Sequence, residues 1–110
     1  MGEQERKLAL NEAMFREVNE RLEELNRTFA DFTDHLQVVC ECADMACAEM
    51  IDVPAADYER IRSDPTLFIV VPGHEITDVE DVVEVLPNFE VVRKREGEPA
   101  RVARATDPRD

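Results

Sequence analysis

The chain has no Trp, one Tyr and three Gly in 110 residues. With so few aromatics, Val, Leu, Ile and five Phe must fill the interior, so one modest core is expected at this length. The shortage of glycine leaves no Gly-rich phosphate cradle, and no Ser–His–Asp order appears. With no substrate-pocket signature either, the chain is not expected to be an enzyme. Basic residues are also scarce: 13 Lys and Arg against 26 Asp and Glu, a formal net charge of −13. The one basic run, Arg93-Lys94-Arg95, leads straight into Glu96. Phosphate neutralisation needs clustered cations, so nucleic-acid binding is not expected, and the acidic balance disfavours anionic membrane surfaces. No apolar run approaches the roughly 18–20 residues of a membrane-spanning helix. No apolar signal segment follows Met1. A cytoplasmic location is the expectation.

Against these absences stands a cluster. Three cysteines fall within eight residues, Cys40-Glu41-Cys42-Ala43-Asp44-Met45-Ala46-Cys47. Three thiols cannot all pair within one chain, and a reducing compartment disfavours structural disulfides, so metal binding or thiol chemistry is the better reading. Zinc takes thiolate sulfur and imidazole nitrogen in tetrahedral array. A closed site needs a fourth ligand, and His74, in Pro72-Gly73-His74-Glu75, is best placed beyond an apolar strand. His35, Glu49 or water are the alternatives. Glu41 and Asp44 compete poorly with thiolates but add negative potential around an ion. Glu75 is read as a surface acid or as a group steering the His74 ring; catalytic zinc, with Glu75 as base, is the weaker reading. An iron–sulfur cluster ordinarily wants four cysteines, and one chain offers three. The bland alternative treats Cys40 and Cys42 as small core hydrophobes and His74 as a solvated turn residue.

The rest of the chain reads in segments. Residues Glu3 to Asp31 contain no Gly or Pro and are rich in helix formers, which predicts one long helix. Its apolar stripe fits a heptad with Leu8, Phe15, Leu22 and Phe29 at a, and Asn11, Val18, Leu25 and Phe32 at d. Phe at three seam positions is bulky for a simple parallel coiled coil, so a hairpin or bundle with a second copy is favoured over a helix packed only on its own domain. Leu36–Cys40 and Met50–Val53 read as strands, with Ile51 and Val53 on one face and Met50 and Asp52 on the other. Pro54 opens a helix that runs to Ser63, with Tyr58 and Ile61 facing a core, and Asp64-Pro65 ends it. Leu67–Val71 is the most apolar run and the expected central strand. Val79–Leu86 and Phe89–Arg93 suit a hairpin across Pro87-Asn88. Glu96 onward looks like a tail, with at most a turn of helix at Ala100–Ala105.

Three stretches, Phe15-Arg16-Glu17-Val18-Asn19-Glu20-Arg21, Cys40-Glu41-Cys42-x4-Cys47 and Pro72-Gly73-His74-Glu75, carry a resemblance. With them the chain resembles a group of short, uncharacterised bacterial proteins, from the helix through the Val91-Val92 strand. The resemblance implies a stand-alone small protein and no particular substrate.

The expected fold is α+β: a long N-terminal amphipathic helix, then a small β domain with one short helix, stapled by a metal site. The expected division is 1–34 as helix and dimerisation element, 35–95 as a zinc-binding-like α+β domain, and 96–110 as a flexible tail. The expected metal is zinc, held by Cys40, Cys42, Cys47 and His74. The functional expectation is a small zinc-binding interaction or regulatory protein with a structural metal, homodimeric through its helix and open to a protein partner. Two alternatives are a thiol switch that releases zinc on oxidation and an acidic antagonist of a basic partner.

Overall fold

The computed structural model describes residues 2–29, 35–42, 44 and 46–109, with side chains in the first helix from Leu10 to Leu25. In order, the elements are α1 (Gly2–Phe29), β1 (His35–Val39), β2 (Met50–Pro54), α2 (Ala55–Arg62), β3 (Leu67–Val70), β4 (Glu80–Val85), β5 (Glu90–Lys94) and α3 (Glu98–Ala105). They form an α+β fold with two small antiparallel sheets, a β1–β2 hairpin and a three-stranded sheet in the order β3-β5-β4.

Local chemistry accounts for most of these elements. Strands β1 and β2 pair Leu36 with Val53 and Val38 with Ile51, all four buried, while Gln37 and Asp52 face out. That is the period-two alternation of a sheet with one covered face. Pro54 caps α2, Asp57 lies in its first turn and Arg60 and Arg62 in its last, each sign matched to the helix dipole. Tyr58 and Ile61 are fully buried. Strand β3 is buried along its whole length, but the central strand is β5, not β3. The free edge of β3 is covered by the cysteine loop instead: Glu41 N donates to Ile69 O at 2.8 Å, and Ile69 N donates to Glu41 Oε1 at 3.0 Å. An irregular segment thus substitutes for a fourth strand.

The C-terminal segment forms more than a turn of helix. In α3, Pro99 sits in the first turn, and Ala100 and Ala103 are buried. The helix packs on α1 and β5.

The orientation of α1 departs from its hydrophobic pattern. Its inward face carries Glu12, Ala13, Arg16, Asn19, Glu20 and Glu23, all buried. Its outward face exposes Leu10, Met14, Val18 and Leu25. Of the predicted seam, Val18 and Leu25 are exposed, and Asn11, Phe15 and Leu22 are partly covered. The side chains of Leu8 and Phe29, together with Phe32 and the predicted helix end at Asp31, lie outside the described residues. The charged face is accepted because its members find partners. Arg16 donates to Pro65 O at 2.5 Å, Ala103 O at 2.8 Å and Thr106 Oγ1 at 3.1 Å. Glu20 accepts from Tyr58 Oη at 2.8 Å and from Arg109 Nε at 2.7 Å. Arg16 and Lys94 both lie over the ring of Phe68, at 4.5 and 4.9 Å from its centroid.

Lys94 pairs with both Glu12 and Glu80, and all three side chains are almost wholly buried. One ammonium cannot neutralise two carboxylates in a dry site. Burial raises the Glu12 carboxyl to about 8 despite the attraction of Lys94, with Glu80 adding to the rise. The folded chain therefore keeps a proton that the unfolded chain releases near 4.5. The stabilisation from that proton is complete below pH 4.5 and is lost as pH rises through 8. Glu12→Gln, which cannot ionise, is expected to remove a decline of about 1 kcal/mol per pH unit across this window. Denaturant titrations of both chains from pH 5 to pH 9 check it, and parallel pH profiles would refute it.

Candidate metal centre

Each predicted ligand is placed by a separate piece of local structure. Cys40 directly follows β1, and its N–H continues the hairpin ladder by donating to Glu49 O at 2.9 Å. The extended run Cys40-Glu41-Cys42 sends alternate side chains in opposite directions, so both thiols are on one side and Glu41 on the other. The loop then turns at Asp44, whose Oδ1 accepts from Ala46 N at 2.9 Å and whose carbonyl accepts from Cys47 N at 3.0 Å. This side-chain-closed turn returns the third thiol. His74 comes from the far side. Val71-Pro72-Gly73-His74 closes with His74 N donating to Val71 O at 2.9 Å, and Gly73 has φ 92°. Pro second and a positive-φ Gly third form the type II turn pattern, which presents His74 just past the buried strand β3.

The four donor atoms, one from each of Cys40, Cys42, Cys47 and His74, lie within 4.8 Å of one another. His74 Nδ1 is 3.6 Å from Cys40 Sγ and 3.6 Å from Cys47 Sγ. Tetrahedral zinc with ordinary bond lengths separates sulfur from nitrogen by about 3.6 Å and sulfur from sulfur by about 3.8 Å. The cluster therefore has the donor types of a four-ligand metal site, and the two His74–sulfur distances match its spacing. Cys40 and Cys42 are buried, whereas Cys47 and His74 are partly exposed. A cavity of about 260 Å³ lined by Cys42, Asp44, Gly73, His74 and Ile76 opens the site to solvent on the His74 side.

The two inner thiols are desolvated. Burial pushes the Cys40 thiol far above its ordinary range and raises Cys42 as well. Backbone N–H groups oppose that rise: those of Val71 and Cys42 point at Cys40 Sγ, and that of Asp44 points at Cys42 Sγ. Val71 N lies 3.2 Å from Cys40 Sγ. Such donors suit thiolates, and a divalent ion bound there would supply the positive charge that makes thiolates favourable at neutral pH.

The alternative donors fall elsewhere. His35 lies at the start of β1, exposed, with Nδ1 3.2 Å from Asp52 Oδ2 across the hairpin. Glu49 and Asp44 are exposed and outside the donor cluster. Glu75 turns toward Glu90; its carboxylate is held below the ordinary range first by its own backbone N–H and then by the Glu90 carboxyl. Glu41 does not face the site at all. It is fully buried, accepting from Arg62 Nη1 and Nη2 at 2.7 and 3.0 Å and from Asn19 Nδ2 at 2.6 Å. This support escaped the sequence reading, which assigned Glu41 to the field around the ion. The signal was the alternation itself: if Cys40 and Cys42 share a side, Glu41 must occupy the other.

No protein-family model matches this chain, and neither does any curated protein or solved structure. Among the described residues, no helix is long and apolar enough to cross a membrane.

Proposed function

We propose that this chain is a small zinc-binding interaction protein whose metal is structural and which dimerises through α1. The observation that carries the metal reading is the convergence of three thiols and one imidazole within 4.8 Å. Three sulfurs and one nitrogen suit zinc, and four protein donors leave no open position for an activated water. Bound zinc would tie the loop after β1 to the turn after β3, reinforcing the contact by which that loop already covers the edge of β3. It would supply folding energy to a chain with a small core.

The dimer reading rests on the inverted helix. A helix that turns its charged face inward and leaves Leu10, Met14, Val18 and Leu25 exposed has an apolar ridge in need of cover. Leu10, Met14 and Val18 are four residues apart, the spacing of a ridge that packs into the grooves of a crossing helix. A second copy offers the same ridge, and two-fold symmetry makes such a patch self-complementary.

Elemental analysis of native, untagged, reduced protein, with a count of reactive thiols, tests the first claim. One zinc per chain with protected thiols is the expected result. Metal-free protein with three reactive thiols would overturn it and leave metal-free thiol redox chemistry or plain packing as the role of the cysteines. Sedimentation tests the second: wild type is expected to be dimeric, and Val18→Glu monomeric with its zinc retained. A wild-type chain that stays monomeric at high micromolar concentration would sink the dimer.

A further inference from the structure

We infer that Asn19, Glu41 and Arg62 couple occupancy of the metal centre to the docking of α1, so that metal regulates how firmly the helix is held. The inference rests on the metal reading above. It starts from the position of Glu41, the single residue between two of the four donors. Its carboxylate is wholly buried and is shared by groups from three elements. Arg62 from α2 grips both oxygens at 2.7 and 3.0 Å and also donates to Leu67 O at 3.2 Å. Ile69 N from β3 donates at 3.0 Å. Asn19 from α1 donates at 2.6 Å.

Asn19 does more than reach Glu41. Its Oδ1 accepts from Val39 N at 2.7 Å, and its Nδ2 donates to Val39 O at 2.8 Å. The amide thus pairs with the backbone of β1 as a neighbouring strand would, at the residue just before Cys40. One α1 side chain therefore holds the residues on both sides of the first metal donor. The conformation that presents Cys40 Sγ and Cys42 Sγ to a metal is the conformation that presents Val39 and Glu41 to α1.

Thermodynamic linkage makes the consequence reciprocal. If a docked α1 orders the donor loop and raises metal affinity by some factor, bound metal strengthens docking by the same factor. Without metal, the three residues from Val39 to Glu41 would lose one restraint, while Arg62, Ile69 and the β1–β2 ladder still hold them. Without Asn19, they lose the restraint that α1 supplies. Outer-shell hydrogen bonds at metal sites are commonly worth about 10–100-fold in affinity, which sets the expected size. Asn19, Glu41 and Arg62 act through the donors and not on the metal, so they are positioning residues.

The test pairs zinc affinity, by competition with a chromophoric chelator, with hydrogen exchange of residues 10–25 in the full chain with and without zinc. In the wild type, zinc is expected to slow exchange across this part of α1 by about 10-fold or more. Asn19→Ala and Glu41→Gln are each expected to weaken zinc binding by about 10–100-fold. Arg21→Gln, exposed on α1 and outside both the polar inner face and the apolar ridge, is expected to leave affinity unchanged. Stoichiometric zinc binding with no change in α1 exchange would overturn the coupling alone. A wild-type chain that binds no zinc would overturn the metal reading and the coupling with it. If Asn19→Ala does not fold, Glu41→Gln decides: zinc affinity equal to that of the wild type would overturn the coupling.

Discussion

Stripping the metal with a chelator is expected to abolish the cooperative thermal transition of the native chain, and Cys40→Ser is expected to reproduce that loss with zinc present. The reason lies in the position of the donors within the core. Cys40 and Cys42 belong to the same buried cluster as Val38, Ile51, Ile69 and Val70. They are core residues as well as candidate donors, so losing a metal there would loosen packing as well as coordination. Magnitudes decide the size of the effect. Structural zinc supplies on the order of 10–16 kcal/mol in small metal-dependent domains, whereas a domain of this size has only about 5–15 kcal/mol of net stability. A hydroxyl in place of the Cys40 thiol gives a poor ligand and leaves a polar group in an apolar pocket. Loss of several kcal/mol lowers Tm by more than about 10 °C in a chain this short. His35→Ala is the control, since His35 is exposed and paired with Asp52 away from the site; its change in stability is expected within about 0.5 kcal/mol. Calorimetry with and without chelator decides: an unchanged Tm after demonstrated metal removal would reject a structural role for the metal.

Short-range chemistry made much of this fold legible. Alternation in Leu36–Val39 and Met50–Val53 fixes which faces of β1 and β2 are covered, because a one-residue slip would expose Val38 and Val53. Pro54 and the flanking charges marked α2. The convergence of three thiols and one imidazole was legible because this chain holds only three cysteines and two histidines. The choice of His74 over His35 followed from where each falls relative to its strand, and the structure brings His74 to the thiols while β1 holds His35 away. α3 was underread, although Glu98 and Pro99 in its first turn and Arg104 in its last are ordinary helix signals. A short segment rich in Ala and Arg does not announce that Ala100 and Ala103 will be buried against a neighbouring helix.

The orientation of α1 was the feature hardest to read. Hydrophobic periodicity identifies an apolar face but not the surface that covers it. Burial of Glu12, Arg16 and Asn19 depends on Lys94, on Pro65 and Ala103, and on Val39 and Glu41, which are 20 to 87 residues away in sequence. No local pattern encodes such pairing, and a charged helical face is ordinarily read as solvated. The polar inner face and the exposed ridge of Leu10, Met14 and Val18 are two sides of one arrangement: directional bonds hold the helix to its own domain and leave its apolar side available.

The Arg62–Glu41 pair is where that arrangement is most vulnerable. Arg62→Met is expected to destabilise the chain by about 3–5 kcal/mol, the usual consequence of leaving one member of a buried ion pair uncompensated. The Arg62 and Glu41 side chains are 2% and 0% exposed, so water cannot take over the lost contacts. Arg62 also lies over the ring of Tyr58, its guanidinium carbon 5.2 Å from the centroid, and donates to Leu67 O. Those contacts are lost too, and Met replaces only the volume. Adding Glu41→Leu to Arg62→Met removes the stranded charge and is expected to recover part of the loss. Recovery stays incomplete because Ile69 N then lacks the Glu41 acceptor and Asn19 Nδ2 loses one of its two. A double-mutant cycle by urea denaturation, with zinc saturating throughout, isolates the pair from the metal. A cost below about 1 kcal/mol for Arg62→Met would place the pair among exposed ion pairs and contradict its burial. A cost in the expected range with a large favourable coupling would show that this buried pair, one residue from two thiols, holds the donor loop in place from the side opposite the metal.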